Sequence, residues 1–265
     1  MKNLIITSSV LAIAIALAGA AFSQTEAPIA DRVFKDLRNE NSGVRIAAFE
    51  QLYAAEQGAL ENNRPVAAKI RKAMVDLLKF EANQPTPADG TSSESKEGDE
   101  GGNEEYIPEL IDSVIALHDI KTVDLLLHPW VLGTALVTDE LATYGDAIVP
   151  KMLANYESPL QTNNNYDATI NVRFLLMTVM IEMIKTHRVK NSDYINKFES
   201  AFIANAQRNG SDYNSSRSLA IRGLQYFTDP EARRWVQGAL NDSDYGVRSA
   251  GERALKAQSE RLNAQ

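Results

Sequence analysis

Three histidines, His118, His128 and His187, are the residues best suited to acid–base chemistry or metal binding. None of them has a metal-ligand partner three or four residues further along the chain, so a tetrahedral metal site is not expected. His128 lies in the segment Leu-His-Pro-Trp, which favours a helix-ending turn over a catalytic dyad. No phosphate-binding loop, hydrolase elbow or dinucleotide fingerprint occurs. We therefore predict a protein that is not an enzyme and that uses no cofactor or metal.

Residues 241–252 have the length of a calcium-binding loop, with Gly246 at the sixth position and Glu252 at the twelfth. Ser243 and Tyr245 stand where such loops carry carboxylates or amides, so the ligand set is incomplete. A helix cap followed by an interhelical turn explains the segment better. Aromatic residues and arginines are the types that most often anchor a partner protein. The candidates of these types are Trp130, Tyr144, Tyr166, Tyr213, Arg233, Arg234 and Trp235.

Residues 1–23 have the pattern of a cleavable signal peptide. Lys2 is the positive start, an uncharged apolar stretch runs to Leu17, and small residues precede a cleavage point between Ser23 and Gln24. The alternative is an uncleaved membrane anchor, which needs about 20 apolar residues, whereas Thr7 and the two serines after it interrupt this run. We expect a periplasmic or secreted protein with no membrane span after cleavage.

The chain contains no cysteine. A lipoprotein carries its lipid on a cysteine at the new N-terminus, so the exported protein is not expected to be a lipoprotein. Disulfides cannot staple the fold either, although a mature chain of about 240 residues buries enough apolar surface without them.

Residues 83–105 read NQPTPADGTSSESKEGDEGGNEE and hold seven carboxylates, one lysine and almost no apolar side chain. This segment carries −6 of the formal charge of −8. It cannot bury enough surface to offset its ordering entropy, so we predict a disordered acidic linker that acts as a solvated spacer. No dense basic stripe occurs elsewhere in the chain, which argues against nucleic acid as a partner.

Outside this linker the apolar residues recur at helical spacing, and no segment alternates as a strand would. Residues 172–184, VRFLLMTVMIEMI, are apolar on nearly every face, which predicts a buried central helix with its methionines in the core. Helix starts are predicted at four cap pairs: Ser42-Gly43, Ser192-Asp193, Asp229-Pro230 and Ser243-Asp244. The fold class is therefore all-α.

A pattern of a polar turn followed by a helix occurs twice, once near each end of the predicted helical part of the chain. Each copy has a polar turn, Gly-Val-Arg with the arginine at Arg45 or Arg248, small residues, and a leucine seven positions after the arginine. A weaker copy contains Arg217, 31 residues before Arg248. The pattern resembles the short form of the HEAT repeat. The resemblance implies an α-solenoid of helical hairpins. In this family a turn acid and an arginine of the second helix form a ladder between repeats, and Arg45, Arg217 and Arg248 would take that structural role; a ligand-binding arginine row is the alternative.

The predicted organisation is a signal peptide (1–23), an N-terminal helical repeat (24–82), the acidic linker (83–105), HEAT-like repeats (106–262) and a short tail (263–265). Repeat architecture without catalytic residues favours an exported scaffold that binds another protein, whose identity stays open. One alternative is an enzyme or small-molecule binder related to the HEAT-like bilin lyases. Another is a structural subunit of an envelope complex.

Overall fold

The computed structural model describes residues 31–61, 66–83, 102–134, 137–158, 166–210 and 213–264, and all regular structure within these ranges is helical. The predicted signal peptide with its Ser23–Gln24 cleavage point lies outside the described residues, as do residues 84–101 of the predicted linker. Short 3-10 turns at Ile120–Thr122 and Gly145–Ala147 precede the fifth and eighth helices. The α-helices are, in chain order, α1 Asp31–Asp36, α2 Ser42–Glu61, α3 Val66–Ala82, α4 Gly102–Ala116, α5 Val123–Leu126, α6 Pro129–Thr134, α7 Thr138–Ala142, α8 Val149–Glu157, α9 Tyr166–Lys185, α10 Ser192–Ala206, α11 Asn214–Leu224, α12 Pro230–Ala239 and α13 Tyr245–Asn263.

The last five helices form two layers of stacked hairpins. Helices α9, α11 and α13 pack side by side in one layer, and α10 and α12 pack in the other. Helix α11 contacts both α10 and α12, while α13 contacts α12, so the hairpins follow one another along the chain. Strong contacts between neighbouring hairpins are the mark of a helical-repeat solenoid. The all-α class and the solenoid architecture are confirmed.

Close approach between the layers depends on small residues. A Cβ built on Gly223 of α11 would come within 2.7 Å of the ring of Phe202 on α10. A Cβ on Gly251 of α13 would come within 3.0 Å of the Cβ of Ala239 on α12. Interiors packed at this density have no room for added methyl groups, so these two glycines set the spacing of the helices.

The N-terminal helices form a group in which α2, α3 and α4 pack on one another and α1 packs on α2. Its core includes Phe49, Leu52, Ile70 and Leu110, all fully buried. Helix α4 begins at Gly102, inside the segment predicted as linker, and it continues the stack through contacts with α6.

Helix α9 is the central helix, with contacts to α6, α7, α8, α10 and α11. Its three methionines, Met177, Met180 and Met183, are fully buried, so they fill the core as the apolar pattern predicts. Among the described helices, none combines the length and the apolar character needed to cross a bilayer.

Two of the four predicted cap pairs contain the capping residue. Asp229 accepts from the amides at the start of α12, and Asp244 accepts from the Val247 amide in α13. At the other two pairs the prediction was wrong by one residue: Asn41 accepts from the Val44 amide at 3.3 Å, and Asn191 accepts from the Asp193 amide at 2.9 Å. Asparagine and serine cap helices about equally well, so adjacent residues of these types leave the start ambiguous.

Candidate interaction site

Arg45 and Arg248 hold the turns that precede their own helices. Nη1 of Arg45 donates to the carbonyl oxygens six and five residues earlier, at 2.8 and 3.1 Å. Nη1 of Arg248 donates to the carbonyl oxygens at the same two positions of its own turn, at 2.7 and 2.8 Å. The Gly-Val-Arg pattern therefore produces the same local contact at both ends of the described chain.

Arg217 acts between hairpins instead of within one. It forms an ion pair with Asp242 in the turn before α13, and its Nη1 donates to Asn214 at 3.1 Å. Asn214 in turn donates to the Asp244 carboxylate at 3.0 Å. These contacts connect the start of α11 to the turn before α13. Together with the turn contacts of Arg45 and Arg248, they fit a structural role for the three repeat arginines. This role stays a prediction.

A buried polar network joins α2, α3 and α4. Nε of Arg45 donates to Oε1 of Glu81 at 2.6 Å, and the Tyr106 hydroxyl donates to the same oxygen at 2.5 Å. The side chains of Arg45 and Glu81 are only 11% and 8% exposed. Burial raises the pKa of Tyr106 and the hydrogen bond to Glu81 raises it further, so the phenol remains a donor. Spacing in the sequence gives no signal for this network.

Glu199 on α10 and Asp229 at the start of α12 are neighbouring carboxyl groups. The pKa of Glu199 is raised to about 8, mainly by burial, and the interaction with Asp229 contributes the rest together with the charge of Glu231. Burial opposes ionisation of Asp229, but the hydrogen bonds from Glu199 and from the helix amides lower its pKa overall. Paired carboxyl groups can exchange a proton with a substrate, but here Asp229 also caps α12.

The histidines lie in three separate turns. The ring of His118 stacks on Tyr144 with centroids 4.3 Å apart, and Nδ1 of His128 accepts from the Trp130 amide at 3.3 Å. Burial lowers the pKa of His128. His187 is exposed, with a positive φ of 55°. Among the described residues, no group of three or more His, Cys, Asp or Glu side chains could hold a metal ion.

The aromatic candidates differ in exposure. Tyr144 is buried, and Trp130, Tyr213 and Trp235 are half-buried. Trp235 lines a cleft of about 410 Å³ that also includes Arg208 and Arg217. The side chain of Tyr166 lies outside the described residues. Arg234 is exposed and Arg233 is half-buried. Among the described side chains, Tyr245 at the first residue of α13 is the most exposed aromatic, at 75%, and it was not among the predicted partner contacts.

Helix α1 is flanked by two clefts. The first has a volume of about 550 Å³ and lies against α2; its lining includes Arg32, Asp36 and Asn41. The second, here named the α1–α3 cleft, has a volume of about 360 Å³ and lies between α1 and α3. Its lining residues are Phe34, Lys35, Leu37, Arg38, Lys69, Lys72, Ala73, Asp76 and Leu77.

The α1–α3 cleft has an unusual charge for this acidic chain. Its four cationic residues are all exposed, and Asp76 is the one carboxylate among its lining residues. Lys35 lies in α1, Arg38 lies in the turn after it, and Lys69 and Lys72 lie in α3 more than 30 residues further on, so the cations form no basic stripe in the sequence.

No protein-family profile matches the sequence, and no curated protein matches it either. Among solved structures, a designed armadillo repeat protein is similar with 12% sequence identity and a TM-score of 0.42, over 86% of this chain and 98% of that chain. The helix packing described above makes this chain an α-solenoid of stacked helical hairpins.

Proposed function

We propose that the protein is a non-enzymatic scaffold that binds another protein in the periplasm or outside the cell. The observation that carries this proposal is the stack of hairpins, which leaves open clefts along its helices. Solenoids of this kind present extended surfaces to their partners. The export component rests on the sequence pattern of residues 1–23.

The polar groups best suited to chemistry have structural contacts. Glu199 and Asp229 serve the start of α12, and Tyr106 and Glu81 join three helices. An enzyme related to the bilin lyases would instead need polar groups that converge on a pocket. In the part of the chain that the structure describes, the groups with raised pKa values do not line the three clefts.

The proposal is tested by affinity purification of the tagged protein from its native compartment. A partner protein in a fixed ratio is expected, and an unrelated exported protein with the same tag is the control. Failure to recover a partner, together with turnover on a metabolite panel by the purified protein, would overturn the proposal. Light scattering after size exclusion separates a monomeric scaffold from an obligate assembly subunit.

Export is tested separately by sequencing the N-terminus of protein recovered outside the cytoplasm. A mature chain that begins at Gln24 is the expected result. A chain that retains residues 1–23 and stays with the membrane fraction would support the anchor alternative.

A further inference from the structure

We propose that the α1–α3 cleft binds an acidic, amphipathic segment of the partner protein. This inference rests on the proposed scaffold function and names the chemistry of the partner. The charge of the rim, the apolar floor and the spacing of the cations support it, and all three belong to described residues.

The rim carries a local positive charge. Lys69 forms an exposed ion pair with Asp31 at 3.2 Å, and Lys72 forms one with Asp76 at 2.8 Å. Four cations against these two carboxylates leave +2 at the cleft, in a chain whose total formal charge is −8. Exposed ion pairs are weak and exchange readily, so an incoming carboxylate can replace an intramolecular one.

The floor of the cleft is apolar. Leu37 and Leu77 are buried, and Phe34 is half-buried. Nζ of Lys69 lies 4.1 Å from the centre of the Phe34 ring, so the lysine stem and the ring form one apolar surface beneath a charge. A partner side chain such as leucine can pack on this floor while flanking carboxylates meet the cations.

The spacing of the cations favours a polypeptide over a nucleic acid. Lys35 and Arg38 on the α1 side are three residues apart, and Lys69 and Lys72 on α3 are also three residues apart. Two pairs on opposite walls suit carboxylates that alternate along a short segment. Binding to nucleic acid would need a longer cationic track, and the net negative charge of the chain opposes it.

The probe is a short fluorescein-labelled peptide of glutamate and leucine, titrated with the full mature chain and followed by fluorescence anisotropy. The matched peptide has glutamine in place of glutamate. We expect the glutamate peptide to bind more tightly, with an affinity that falls as salt rises. The double variant Lys35→Glu and Arg38→Glu should weaken binding about tenfold or more.

The matched control is Lys197→Glu with Arg222→Glu, which makes the same change of charge at exposed positions on α10 and α11. It should retain binding within about twofold, because only long-range attraction changes. Circular dichroism checks that both variants fold. If the α1 variant does not fold, Lys69→Gln with Lys72→Gln tests the opposite wall and should also weaken binding.

Equal weakening by the two charge-reversal variants, or equal binding of the glutamine peptide, would overturn the proposal. Replacement of the five carboxylates within residues 84–101 by glutamine or asparagine tests occupation by the chain's own acidic segment. Affinity that rises about tenfold on this replacement would assign the cleft to that segment and overturn a partner in trans. If the peptide does not bind but affinity purification still returns a partner, this inference fails and the scaffold function stands.

Discussion

The two ends of the described chain share a sequence pattern but are stabilised differently. Arg45 and Arg248 make the same two hydrogen bonds to their own turns. At the N-terminal end, Arg45 also enters a buried network with Glu81 and Tyr106. At the C-terminal end, the link between hairpins comes from Arg217 in α11. The Gly-Val-Arg pattern thus produces the same turn contact at both ends, while the link to a neighbouring helix is made by different residues at each end.

The largest difference is expected between Arg45→Ala and Arg248→Ala. Loss of Arg45 leaves the Glu81 charge buried without its cation, which should lower the free energy of unfolding by about 3 kcal/mol. Loss of Arg248 removes hydrogen bonds to partly exposed carbonyls and should cost about 1 kcal/mol. Urea unfolding followed by circular dichroism measures both. Equal losses would show that the network adds nothing beyond the turn.

Close packing of the C-terminal layers is tested by Gly223→Ala. The added methyl would meet the Phe202 ring, and we expect a loss of about 2 kcal/mol. Gly238→Ala is the matched control, because a Cβ there meets no atom within 4 Å. It should be neutral or stabilise by up to about 1 kcal/mol through helix propensity. Fluorescence of Trp235 in a Trp130→Phe background reports unfolding of this region.

A smaller effect is expected from Asp242→Asn. The variant removes the charge opposite Arg217 but keeps a hydrogen-bonding side chain, so about 1.5 kcal/mol should be lost. Hydrogen exchange should show faster exchange at the start of α13, while the amides of α2 keep their protection. Equal loss of amide protection in α2 and α13 would contradict a link that acts only between the C-terminal hairpins.

The smallest effect concerns pH. Because the pKa of folded Glu199 is raised from the ordinary 4.5 to about 8, its contribution to stability is complete below 4.5 and disappears as the pH rises through 8. Between pH 6 and 9 the free energy of unfolding should fall by no more than about 1 kcal/mol, because solvent partly screens the pair. The melting temperature, which reports this change, should fall with it. Glu199→Gln should flatten this dependence, and an unchanged slope would refute the raised pKa of Glu199.

Much of the fold could be predicted from the sequence because its cause is local. Apolar spacing predicts the helices. The Gly-Val-Arg pattern indicates two turns, and in the structure Arg45 and Arg248 each bond the turn before their own helix. The network at Glu81 could not be predicted, since its partners are 36 and 25 residues away and no periodicity relates them. The α1–α3 cleft was missed for the same reason: its cations become neighbours only when α1 and α3 pack.

The hydrogen bond from Tyr106 to Glu81 also has an evolutionary consequence. It fixes the last turn of α3 beside the first turns of α4, although 18 residues, 84–101, separate the described ends. The entropy of closing a loop grows only with the logarithm of its length, by about 0.6 kcal/mol per doubling. Insertions and deletions in this connection should therefore cost little stability. We expect chains related to this one to vary in length there first, and a foreign domain inserted there to leave both flanking helices intact.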